Sequence, residues 1–227
     1  MNGKLKHNKN PAKAKSPRRQ YRESKMLDIQ NYPQSEEFTS AAACALMALK
    51  YINKNMSIKR SMEYDIWEEA NYGSVWHGSR YGLAYALAKR GAKPYIITNA
   101  KDEGYERKLA VYEGINLETL RASFNEIKKR AEELKIKEIK KIVTLNTIKN
   151  ELNMGRIPIV LVNANRLSPQ DHPEPSPHWV VVKGYDKDTV YINDPYSNET
   201  ISMEPQVFKS VLGYDNEYHM ISVSTRH

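Results

Sequence analysis

The 227-residue chain predicts an α+β fold, a helical half packed on an antiparallel sheet. Two observations carry this. Helix signals fill the stretch from Thr39 to Leu152, and β-branched apolar runs crowd the last third. No repeat period appears between them, and no break is long enough to demand a second folded domain. The predicted body is therefore one unit, residues 26–227, preceded by a tail, residues 1–25.

The elements follow in order. Thr39–Ile52 reads as a helix, with Thr39 or Ser40 as cap and strong helix formers from Ala41 to Leu49. Ile58–Ala70 is a second, acidic and aromatic helix that ends near Gly73, and Tyr81–Lys89 is a third that stops at Gly91. Lys93–Thr98 reads as a strand. Leu117, Leu120, Phe124, Ile127, Ala131 and Leu134 recur at spacings of three and four, which predicts an amphipathic helix with one buried face. Its Lys/Glu run reads as the solvated face. A short helix covers Leu145–Leu152, and Ile157–Val162 is a fully apolar strand. A proline-rich loop, Ser168–Pro177, leads into a hairpin of His178–Tyr185 and Thr189–Asp194 around Asp186-Lys187-Asp188. Tyr218–Ser224 is the last strand.

Charge is confined to one end. The chain is formally +8, and residues 1–25 hold nine bases against Glu23. The remainder carries 26 bases and 26 acids and is neutral. With only Leu5 and Tyr21 as large apolar groups, residues 1–25 are expected to be disordered. They read as a solubilising extension, or as an arm making weak contact with a polyanion. No aromatic or glycine pattern accompanies the charge, which favours the extension. No apolar run reaches membrane-spanning length. The single cysteine fits a reducing cytosol, and a cytoplasmic protein is expected.

Several chemistries lack their signatures. The glycines show no phosphate-loop spacing, and the six histidines show no paired metal-ligand spacing, so neither metal nor organic cofactor is expected. Three stretches do combine: Gln34 to Leu49, Pro177-His178-Trp179-Val-Val-Val, and Val190-Tyr-Ile-Asn-Asp194-Pro195. A nucleophile at a helix N-terminus, a histidine opening a strand and an acid one strand later form a nucleophile–base–orienter set. A three-residue turn centred on Lys187 places Val180 opposite Asp194, with His178 on the same sheet face. Such diagonal neighbours lie about 7–8 Å apart at the backbone. A two-residue turn puts His178 and Asp194 on opposite faces. Cys44 lies about one turn inside the first helix, away from its exposed N–H groups, and reads as core rather than nucleophile. Trp76 and Tyr81 flank the His77-Gly78 turn and read either as cleft-lining or as core aromatics, with core favoured, while Trp67 reads as a core anchor and Trp179 as packing behind the sheet.

Gln34 to Tyr51 resembles the nucleophile helix of the cysteine peptidases that process double-glycine leaders of bacteriocins, within the papain-like clan. The segments Tyr64-Asp-Ile-Trp67-Glu-Glu, His77-Gly-Ser-Arg-Tyr-Gly-Leu-Ala-Tyr-Ala-Leu and His178-Trp179-Val-Val-Val-Lys-Gly-Tyr, with Asp194-Pro195, are similar to the stand-alone branch of that family. The match runs from Gln34 to Ser224. It implies a papain-like fold, a peptide or other amide or thioester substrate, and no cofactor. It also implies roles: Gln34 as oxyanion-hole donor, His178 as general base and Asp194 as its orienter. The nucleophile position falls on Ser40, followed by Ala41, where the family carries Cys-Gly. A thiol can be held as a thiolate beside a histidine, whereas a hydroxyl needs concerted proton removal. Ser40 is open to three explanations: an engineered Cys-to-Ser replacement, a natural non-catalytic peptide binder, or a working serine.

Overall fold

The computed structural model describes residues 24–73, 75–168 and 175–224. The tail up to residue 23, His172 and His227 lie outside the described residues. Strand β1, Lys25–Met26, pairs with the distal end of the strand that carries His178, so the expected boundary at residue 25 falls inside a strand.

Three helices follow: α1 (Ser40–Ile52), α2 (Arg60–Asn71) and α3 (Arg80–Lys89). Ser40 through Leu49 are all buried, because an Ala-rich helix that is apolar on every side has to be covered on every side. Thr39 occupies the N-cap of α1 without a side-chain cap bond. Its hydroxyl instead donates to Glu36 O at 3.0 Å and accepts Glu36 N–H at 3.1 Å, closing the turn that precedes the helix. Helices α2 and α3 cross closely at Gly82, where an added Cβ would lie 2.1 Å from Ala70 O.

Strand β2 (Lys93–Thr98) is followed by α4 (Glu106–Tyr112), α5 (Leu117–Glu133), β3 (Glu138–Lys140) and α6 (Leu145–Asn153). Of the predicted apolar stripe on α5, Leu120, Phe124, Ile127 and Ala131 are buried. Leu117 and Leu134, at its two ends, are exposed because the helix overhangs the surface it packs on. The remaining elements are β4 (Arg156–Asn163), α7 (Ala164–Leu167), β5 (Pro177–Tyr185), β6 (Val190–Asp194), β7 (Glu199–Met203), α8 (Pro205–Val211) and β8 (His219–Ser224). The sheet runs β3-β2-β8-β4-β5-β6-β7, with β1 alongside β5. Every pairing is antiparallel except β2 with β3.

The short or edge elements α4, β3, α7, β7 and α8 have no counterpart in the sequence prediction. Strand β7 carries only half-buried and exposed residues, so it lacks an apolar signature. Helix α8 did carry a start signal, a proline in its first turn.

Candidate active site

The site lies where the N-terminus of α1 meets the opening of β5. His178 is the second residue of β5, and its Nε2 lies 2.7 Å from Asp194 Oδ1 at the end of β6. Both side chains are buried. A carboxylate only accepts, so Nε2 carries the proton and Nδ1 holds the lone pair in the neutral ring. Asp194 also caps the turn that follows it, accepting Tyr196 N–H at 3.1 Å on Oδ1 and Ser197 N–H at 3.3 Å on Oδ2. Burial pushes the Asp194 carboxyl up, but the His178 hydrogen bond and charge, together with the hydrogen bonds from Tyr196 and Ser197, hold the group below its usual value.

The hairpin reaches this geometry by an unexpected route. Asp186 N–H bonds Thr189 O at 2.9 Å, and Tyr185 pairs with Val190, so only Lys187 and Asp188 form the loop. Such a turn alone would put His178 and Asp194 on opposite faces. Between Val182 and Gly184 the register shifts by one residue, and Val181 then faces Asn193. The bulge at Lys183 thus restores the phase that a three-residue turn would have set. The shared face was expected; the turn that accounts for it was not.

Ser40 is the first residue of α1 and is fully buried. Its Oγ accepts the N–H of Trp179, the residue after His178, at 3.3 Å. One turn along, Cys44 Sγ donates to Trp179 O at 3.2 Å. Both sides of one β5 residue are therefore held by α1. Burial, and then the Asp194 charge, push the Cys44 thiol well above its ordinary value. Cys44 is fully buried in the core, as its place in the helix predicted.

Gln34 joins the same neighbourhood through its backbone, whose N–H donates to Pro195 O at 2.9 Å. Its side-chain Nε2 donates to Glu36 O at 2.9 Å and Glu37 O at 3.1 Å, and its Oε1 is buried without a hydrogen-bond partner among the described residues. Both amide hydrogens thus face the carbonyls of its own loop.

Sequence reasoning missed Glu63, a fully buried residue of α2. Its carboxylate accepts Ser35 N–H at 2.7 Å, Ser35 Oγ–H at 2.7 Å and Tyr32 OH at 3.1 Å, anchoring the loop that carries Gln34. Burial, with the adjacent Glu63 charge, pushes the Tyr32 phenol up to about 12. In the sequence Glu63 is one acid among several on an acidic helix, and nothing distinguishes it. Trp76 was also misread. It is 53% exposed rather than core, and packs on Phe38 with ring centroids 5.2 Å apart. Tyr81 and Trp179 are buried as expected. His219 is buried against Thr98, and burial pushes its imidazole down to about 4. Among the described residues, no group of three or more His, Cys, Asp or Glu side chains is placed to hold a metal ion, and no helix is long and apolar enough to cross a membrane.

Comparison with known proteins bears on the fold and the family. No curated protein matches the chain in sequence. Among solved structures, a protein described as a "putative C39-like peptidase from Bacillus anthracis" aligns with a TM-score of 0.50 at 14% identity, over 90% of this chain and 99% of that one. A double glycine motif protease from an AMS/PCAT transporter, solved with its leader peptide, aligns with a TM-score of 0.47 at 14% identity, over 88% of this chain and 95% of that one. At such identity the Bacillus likeness bears on the fold alone. It shows an α+β, papain-like arrangement of helices on an antiparallel sheet. The model of the peptidase C39-like family matches residues 29–212, from the loop before Gln34 to the C-terminal end of α8, and the chain belongs to that family.

Proposed function

We propose that the chain acts on a peptide or related amide at the junction of α1 and β5. His178 serves as general base, Asp194 as its orienter and Ser40 as the attacking group. The observation that supports this best is the 2.7 Å His178–Asp194 contact, which holds the imidazole against the carboxylate that orients it. In the attack, His178 removes the Ser40 proton as the Oγ–carbon bond forms, and the carbonyl oxygen becomes an oxyanion. The Ser40 backbone N–H at the start of α1 is one donor for that oxygen. Gln34 would be the second, once its amide turns away from the Glu36 and Glu37 carbonyls. Membership in the peptidase C39-like family supports a peptide as the substrate class.

A second reading, recognition of a peptide without cleavage, is favoured by two observations. Ser40 is fully buried, and both amide hydrogens of Gln34 are engaged within its own loop. One experiment separates the readings. The full chain and its Ser40→Ala variant are incubated with a defined peptide pool, and new chain ends are read by mass spectrometry. Cleavage that disappears in Ser40→Ala supports the first reading. Peptide retention by both proteins with no new ends supports the second, and cleavage equal in both removes Ser40 from the reaction. In Ser40→Cys, iodoacetamide should label position 40 at neutral pH, and adding His178→Ala should slow labelling by roughly tenfold or more. Labelling no faster than a free thiol would show that helix end and imidazole do not converge on residue 40.

A further inference from the structure

Beside the α1 N-terminus, Phe38 packs on Trp67 and Trp76 with ring centroids 5.0 and 5.2 Å away. Trp67 Nε1 donates to Trp76 O at 2.8 Å, and Glu113 accepts Trp76 N–H at 3.2 Å, so both the ring cluster and its backbone are fixed. The rings border a groove lined by Trp67, Glu68, Asn71, Gly73, Trp76 and Ile115. More than half of Trp76 is open to solvent. Glu68 is the one charged group among these lining residues, and it is exposed. An open indole beside a lone carboxylate suits a cation that carries an alkyl stem: the ring attracts the charge, the apolar floor takes the methylenes and the acid completes the pairing.

The groove is also placed to read a substrate. Phe38 precedes Ser40 by two residues, and one ring contact separates it from Trp76. Those steps place Trp76 no more than about 17 Å from Ser40, within the reach of roughly five extended residues. We infer that this groove is a specificity subsite for a Lys or Arg side chain of the peptide, within about five residues of the carbonyl presented to Ser40. The inference rests on the peptide reading given above and adds the chemistry that the peptide must carry.

The test uses the full chain, immobilised, and three acetylated decapeptide libraries. Each is built from Ala, Gly, Ser and Leu plus one probe residue: Lys, its uncharged isostere norleucine, or Glu. The bound fraction is measured at low and at moderate salt. The Lys library should be retained roughly fivefold better than the norleucine library, and the preference should shrink with salt. Glu68→Lys should abolish the preference, and Trp76→Ala should weaken Lys retention by a similar factor while leaving norleucine and Glu retention in their original order. Equal retention of the Lys and norleucine libraries overturns the subsite and leaves peptide recognition standing. Retention of none of the libraries overturns both. A Lys preference that survives Glu68→Lys shows that the cation sits elsewhere. Replacing Arg18, Arg19 and Arg22 by Gln in the full chain is the last arm. A rise in Lys retention would identify the protein's own basic tail, rather than a substrate, as the occupant of the groove.

Discussion

Ser40 and Cys44 sit one turn apart on α1 and grip opposite sides of Trp179, yet their surroundings assign them different chemistry. Ser40 stands at the first turn, where unpaired N–H groups gather and a developing anion is favoured. Cys44 stands a turn deeper, where burial and the nearby Asp194 carboxylate both oppose a thiolate. We predict that the native chain releases no chromophore from a disulfide reagent and that one thiol reacts in full once urea unfolds it. Cys44→Ala should leave peptide retention or cleavage nearly unchanged, while costing stability through the volume removed from the core. Fast reaction of the native thiol, with loss of function in Cys44→Ala, would move the attacking group one turn along the helix.

At the scale of elements, hairpin β5–β6 shows how a loop and a bulge together set a site. A two-residue turn throws the strands out of phase for the His178–Asp194 contact, and the extra residue at Lys183 brings them back. Deleting Lys183 should therefore turn one of the two side chains to the other face, and Ser40→Cys in that background should label as slowly as with His178→Ala. Inserting a glycine after Lys187 in the deleted chain lengthens the turn to three residues, so fast labelling should return. If the deletion leaves labelling fast, the bulge does not set the register. Gly82 tests the α2–α3 crossing in the same spirit. Gly82→Ala forces a methyl against the Ala70 carbonyl and should cost about 1–3 kcal/mol in urea unfolding. These contacts mark the limits of what the sequence makes legible. The amphipathic stripe of α5, the Ala-rich run of α1 and the apolar run of β4 follow from periodicity and composition, because local burial writes those patterns. Gln34, Ser40, His178 and Asp194 were singled out by the order of motifs that the family resemblance supplies, and of these the structure joins His178 and Asp194 side chain to side chain. Glu63 was not, since its role depends on Ser35 and Tyr32 arriving from another part of the chain. The bulge at Lys183 was hidden too, because it is a property of the pairing between two strands and not of either one.

For the molecule as a whole, three buried ionisable groups shape how stability depends on pH. Glu106 on α4 is fully buried, and burial raises its carboxyl from 4.5 to about 8. Arg80 of α3, 3.9 Å away, opposes the rise, while the charges of Glu217 and Glu103 add to it. Between about 4.5 and 8 the folded chain keeps a proton on Glu106 that the unfolded chain has lost, so this group lowers stability as pH rises. His219 acts in the opposite sense. Burial lowers its imidazole from 6.5 to about 4, so between those values the unfolded chain holds the extra proton and stability climbs with pH. Asp194, held below 3.8 in the folded chain, adds stability that is lost on acidification through the folded value. Where the Glu106 and His219 windows overlap, from about 4.5 to 6.5, their slopes cancel. Above 6.5 only Glu106 still acts, with a slope of roughly 1.4 kcal/mol per pH unit for one proton. We predict a urea midpoint that is level from pH 4.5 to 6.5 and falls from there to about 8. Glu106→Gln carries no proton to retain, so it should erase that fall and expose the His219 slope, making the midpoint rise between pH 4.5 and 6.5. A wild-type midpoint that rises from pH 4.5 to 6.5 and stays level to 8 would show that Glu106 is already ionised in the folded core and paired with Arg80, and a Glu106→Gln variant that keeps the downward slope would assign the fall to another group.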